Sequence, residues 1–140
     1  GPFKAVWLAQ LRDRSTPIDE RLTAFYGDYC RTVLTRRWLR LFLYSSLAEG
    51  EMAPSYIQTI VNQLTEAIVE ETAFAQQVAI PEDPALIHEI GWNLHGTISH
   101  LLIRRHLYHA SQDVDLDRLI ALHVRSFLGG FRHSVGRIEA

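Results

Sequence analysis

An all-helical single domain is what this sequence predicts, on three observations. No segment alternates apolar and polar residues between turn signals, as a half-buried strand would, whereas apolar residues recur at the 3.6-residue period nearly from end to end. The 140 residues suffice for one core, since a chain of that size buries about two-thirds of its unfolded surface. The composition, 47% hydrophobic and 21% charged with five prolines, is that of a packed globular chain.

The first helix is expected over roughly Phe3 to Asp13. In "RSTPIDE", Thr16 is the expected N-cap, with Pro17 at the first helical position and acids in the first turn. The second helix then sets Ile18, Leu22, Phe25, Tyr29 and Val33 on one face. Thr35 caps a third helix, "RRWLRLFLYSSLAEG", apolar around most of its circumference and ended by Gly50, which predicts a central position in a bundle. Pro54 opens a long fourth helix with Ile57, Val61, Leu64, Ile68 and Ala75 inward, and "IPEDP" ends it by Ile80. Asp83 and Pro84 start a fifth helix that runs to about Tyr108, and Asp113 or Asp115 caps the sixth. On the sixth, Leu116, Ile120, Val124, Phe127, Phe131, Val135 and Ile138 form one side and Arg118, Arg125 and Arg132 the other.

A formal net charge of -2 argues against direct contact with nucleic acid, whose phosphates call for clustered Lys and Arg. The single cysteine, Cys30, precludes an intramolecular disulfide and suits a reducing cytoplasm. The uncharged run Ala5 to Leu11 is too short for a signal sequence or a membrane span, so a soluble protein is expected.

Four of the seven histidines fall between Gly91 and Ala110, which raises the question of a metal. His88, His95 and His106 share a helix face, but His88 and His95 stand nearly two turns apart, about 10 Å of rise. His106 and His109 have chelating spacing but sit at a helix end beside Arg104 and Arg105, which reads as solvated surface. No glutamate is followed by histidine at the spacing a di-iron bundle needs. His95 or His123 in an apolar slot would suit haem, but a hydrogen-bonded core histidine explains either as well. A Gly-x-Ser-x-Gly elbow, a phosphate loop, a Cys-x-x-Cys pair and a His-Glu-x-x-His helix are all absent, so neither an enzyme nor a resident cofactor or metal is expected.

What remains is aromatic. Phe25, Tyr29, Trp38, Phe42, Trp92 and His95 take inward phases, joined by Glu71, Ser45 and Ser99. They either line a ligand cavity or fill the core; an inward carboxylate favours the cavity, and a hydrophobic or weakly cationic ligand. On the sixth helix Ser126, Gly130 and Ser134 recur every fourth residue, as for a close helix approach. On the fifth, Glu89, Asn93, Thr97, His100 and Arg104 form a narrow polar arc, leaving more apolar circumference than one small bundle covers. A homodimer is therefore expected, its interface formed by Leu94, Ile98 and Leu101 on the fifth helix and His123, Ser126, Phe127, Gly130 and Ser134 on the sixth.

The stretches "RLTAFYGDYCRTVLTRRWLRLFLYSSLAEGE" (Arg21 to Glu51) and "IHEIGWNLHGTISHLLIRRHLYHASQDVDLDRLIALHVRSFLGGF" (Ile87 to Phe131) together resemble the C-terminal regulatory domain of the TetR/AcrR family of bacterial transcriptional regulators. "FKAVWLAQL" is similar to the helix that links that family's DNA-binding and regulatory domains. The resemblance implies an effector-binding domain whose last two long helices form a homodimeric four-helix bundle, and a ligand that shifts the linking helix, here with Trp7 as anchor. It implies a cytoplasmic repressor whose helix-turn-helix would precede Phe3, so residues 1–140 are expected to be the regulatory domain alone, opening on a Gly1-Pro2 tag remnant. Two rival readings stand beside it: a free-standing helical haem, metal or enzyme protein, and an interaction bundle without a ligand.

Overall fold

The computed structural model describes the backbone of residues 2–139 and the side chains of residues 4–136. Gly1 of the expected tag remnant and the side chains of Phe3 and Ile138 lie outside the described residues. Six helices form an all-α bundle with no strand among the described residues. They are α1 (Pro2–Leu11), α2 (Ile18–Thr32), α3 (Arg36–Leu47), α4, α5 (Pro84–His106) and α6 (Leu116–Glu139). Helix α4 is composite: Met52–Tyr56, a π-helical segment Ile57–Val61 and Asn62–Gln76 follow one another without leaving helical backbone.

Local chemistry accounts for most of the boundaries. The Thr35 side chain accepts from the Trp38 N–H at 3.2 Å and Asp83 from that of Ala85 at 3.0 Å, satisfying N–H groups that a helix start leaves open. Asp115 does the same for Arg118 and so caps α6. Helix α4 stops where Gln77 turns left-handed (φ 56°) and the Val78 N–H reaches back to the Ala73 carbonyl. Pro17, not Thr16, occupies the N-cap of α2 and caps it with no side chain. The Thr16 carbonyl instead accepts from Arg21 Nε. Helix α5 ends at His106, just before the expected Tyr108.

The central element differs from the expectation. The second half of α4 is buried at Leu64, Thr65, Ala67, Ile68, Val69, Glu71, Thr72 and Ala73, and it meets α1, α2, α5 and α6. Ala75, expected inward, is exposed, while the neighbouring Gln76 turns to the Leu128 carbonyl of α6. Helix α3, expected at the centre, lies on the outside: only Leu39 is buried, and Leu41, Tyr44 and Leu47 face solvent. Apolar content is no guarantee of burial when other helices fill the middle. Helices α4 and α5 approach closely at Gly91, where an added Cβ would stand 2.5 Å from Thr65 Cβ and 3.0 Å from Thr65 Cα.

Two contacts fix α1. The Trp7 ring packs edge-on to Tyr29 at 5.2 Å and its indole N–H donates to Asp28 at 3.2 Å. At the end of α1, buried Arg21 donates to the Leu11 carbonyl, to the Thr16 carbonyl and to Glu71 Oε1, each at 2.8 Å. Arg14 adds a two-point contact to the Glu71 carboxylate at 3.1 Å while its guanidinium lies over the Phe74 ring.

Candidate functional site

Helices α2, α3, α4 and α5 surround a cavity of about 100 Å3. Helix α2 contributes Tyr29, α3 contributes Trp38 and Phe42, α4 contributes Tyr56, Ile57 and Val61, and α5 contributes Trp92, His95 and Ser99. Trp38 stacks on Phe42 (4.6 Å, 17°) and meets Tyr56 edge-on at 5.2 Å. Across the space Trp92 and Tyr29 both stand edge-on to the His95 ring, at 5.3 and 5.5 Å. These are favourable aromatic geometries, and they hold the walls apart as well as together.

The polar groups are few. The Tyr29 and Tyr56 hydroxyls share a 2.6 Å hydrogen bond, and Ser99 Oγ donates to the His95 carbonyl one turn back at 2.7 Å. His95, 3% exposed, shares a 3.0 Å hydrogen bond between its Nδ1 and the Tyr26 hydroxyl. Burial pushes its pKa down to about 4, so the ring is neutral at pH 7. Burial also pushes the Tyr26 phenol up, so it keeps its proton. Among the described residues Nε2 has no partner, which leaves this cavity-lining ring one hydrogen bond to offer.

Of the eight residues expected to touch a ligand, Tyr29, Trp38, Phe42, Trp92, His95 and Ser99 line this one cavity. Phe25 does not; it is fully buried one turn before Tyr29, packed on Trp7 and Tyr26. Glu71 is buried but lies in the arginine cluster under α1, so its carboxylate is spoken for. With it goes the ground for a cationic ligand, since no carboxylate lines the cavity. Ser45, also expected inward, packs near Gly50 at the end of α3 instead. Tyr56 is the aromatic wall residue that sequence reasoning missed, along with the aliphatic Leu34, Leu39, Leu43 and Ile103. It precedes the π-helical segment, and π-turns inside α-helices are frequent at functional sites.

A second concavity runs between α5 and α6, lined by Asn93 and Thr97 on one side and by His123, Ser126, Phe127, Gly130 and Ser134 on the other. The five α6 residues expected at a dimer interface thus share one groove. Leu94, Ile98 and Leu101 are not available to a partner: each is wholly buried in the chain's own core. Half of α5 was therefore assigned to the wrong face, because α4 already covers its apolar side. A Cβ at Gly130 would meet nothing within 4 Å, so no contact within the chain requires glycine there.

Among the described residues no three His, Cys, Asp or Glu side chains come together as metal ligands. Among the described residues no helix is long and apolar enough to cross a membrane. No protein-family model, curated protein or solved structure matches the chain. Fold and site define a six-helix domain built around an aromatic cavity.

Proposed function

We propose that the chain is a ligand-binding regulatory domain of the TetR/AcrR kind, taking a small, neutral, single-ring aromatic molecule with one hydrogen-bonding group. The observation that carries this reading is the cavity itself: apolar and aromatic walls with one unpartnered imidazole nitrogen. An apolar cavity of about 150 Å3 is known to hold benzene, and about 100 Å3 admits little more than one ring when the walls give slightly. The cavity connects to α1 through Tyr56, Tyr29 and Trp7, a run of direct contacts. A ligand that favours one placement of Tyr56 over another would in this way bias α1, by no more than its differential affinity for the two placements. Operator contact would belong to a separate domain, in keeping with the net charge of -2.

Thermal melts with phenol, aniline and benzyl alcohol test the reading. A ligand at roughly a hundredfold excess over its Kd adds about 2.7 kcal/mol, a rise of roughly 8 °C for a domain of this size. Ser99→Leu fills the cavity and should abolish the rise. Failure of every aromatic to move the melt, or an equal rise in Ser99→Leu, would leave a ligand-free interaction bundle as the better account.

The reading includes a homodimer across the α5–α6 groove, supported by the open space over Gly130 and the small residues that flank it. Gly130 is exposed and a Cβ there meets nothing in the isolated chain, so the wild type should sediment as a dimer and Gly130→Trp as a folded monomer. A dimer that survives the substitution sinks this part of the proposal.

A further inference from the structure

We propose that the outer face of α3 is a docking surface for a protein segment that carries carboxylates beside large apolar side chains. This inference is independent of the cavity. Single exposed leucines are ordinary, but Leu41, Tyr44 and Leu47 are 54%, 76% and 87% exposed on one twelve-residue helix. They border a groove of about 450 Å3 whose far wall is His106 and Leu107, at the end of α5.

The charge on this face specifies the partner. Arg36, Arg37 and Arg40 are exposed, and among the described residues none of them forms an ion pair or hydrogen bond. They occupy the start of α3, where the helix dipole disfavours cations and an acid would be stabilising; α3 has no acid in its first turn. Helix α3 thus carries two local faults on one face, unpaired cations at the wrong end and uncovered apolar residues beyond them. Natural sequences keep such faults where a function requires them. Arg36 and Arg40 line the groove, and the charge of Arg36, after burial and Arg105, helps hold His106 below its ordinary pKa.

The arrangement also fixes the occupant's layout. From Arg36 to Tyr44 the helix rises about 12 Å, so carboxylates at one end of the segment meet the arginines while apolar side chains follow onto Tyr44 and Leu47. A lipid surface fits less well. Glu49 and Glu51 are exposed directly after Leu47, and insertion of that tip into an anionic bilayer would press both against lipid phosphates.

Panning a phage library of random dodecapeptides against the chain, followed by fluorescence anisotropy of the enriched peptides, tests the proposal. Enriched peptides should share acids followed by large apolar residues, and their affinity should fall roughly tenfold or more in Arg36→Gln/Arg40→Gln and in Tyr44→Ser/Leu47→Ser. All four positions lie on the surface or groove edge, and the glutamines keep the arginine stems, so both variants should melt with the wild type. No enrichment, enriched peptides without acids, or equal affinity for the variants would overturn it. So would arginine-dependent binding to phosphatidylglycerol vesicles without any acidic peptide, which would assign the face to membranes.

Discussion

Glu71→Ala is expected to destabilise the chain by about 3–5 kcal/mol, the cost of leaving a buried charge without its partner. The stranded charge is Arg21, whose side chain is 4% exposed and 2.8 Å from the carboxylate it would lose. Arg12 and Arg14 are about half exposed, so water can replace what they lose, and Arg14→Ala should cost about 1 kcal/mol or less through the ion pair. Urea midpoints of the two variants, taken with unchanged slopes, make the comparison; a larger loss in Arg14→Ala would show that burial is not what gives this cluster its weight. An apolar replacement of both partners, Arg21→Met with Glu71→Leu, should rescue only in part. Arg21 also serves the Leu11 and Thr16 carbonyls, which the double variant leaves unpaired. The pH dependence follows from the carboxylate. Burial opposes its ionisation, but hydrogen bonds from Arg14 and Arg21, and then their charges, hold its pKa below the ordinary value. The folded pKa is the lower one, so this stability is present above the unfolded carboxylate's pKa and is lost as pH falls through the folded one.

The second large effect is also acid-linked but begins at higher pH. His95 is buried neutral with its pKa pushed down to about 4 from 6.5, so between those values the unfolded chain binds a proton that the folded chain refuses. Stability should therefore fall as pH drops from 6.5 towards 4, by about 3 kcal/mol in all. His95→Gln keeps an amide beside the Tyr26 hydroxyl and cannot titrate. Its urea midpoint should fall much less over this range, by only what His106 and His123, both also held below their ordinary pKa by partial burial and nearby arginines, contribute. A wild-type midpoint that is flat from pH 6.5 to 4.5 would mean that water reaches the ring and that His95 is not sealed into the wall.

The sequence shows direction well and depth poorly. Thr35, Asp83 and Asp115 announce helix starts because each uses a side chain to satisfy backbone N–H groups a few residues away, a local event. Six cavity residues were legible for a related reason: helical phase says which way a side chain points. Phase does not say how far along the axis the cavity lies, so Phe25, one turn from Tyr29 on the same stripe, looks equivalent and is not. Nor does phase say what waits on the inward side. Glu71 points inward, but its neighbours are arginines contributed by the α1–α2 junction, which only the folded chain brings there. Helix α3 lies outside and the second half of α4 takes the centre expected of α3, because burial is decided by which helices surround an element. Leu41, Tyr44 and Leu47 on α3 carry more apolar surface than Thr65, Glu71 and Thr72 on α4, yet the latter are the buried ones.

Tyr56 was hidden for a different reason, the π-helical segment that follows it. An i→i+5 turn holds one residue more than an α-turn, so everything before it is rotated by roughly one residue's 100° relative to everything after. Counted back from Ile68 with a uniform α period, Tyr56 points outward; with the extra residue in Ile57–Val61 it turns in to meet Tyr29. In terms of heredity, the segment amounts to a single-codon insertion absorbed without breaking the helix. Gain or loss of one residue there would swap which side chain of Met52–Tyr56 is presented to the cavity while leaving the packed half of α4 in register. Chains of this design could thus change what they bind through a length change in the cavity wall itself, with the packed second half of α4 left in register.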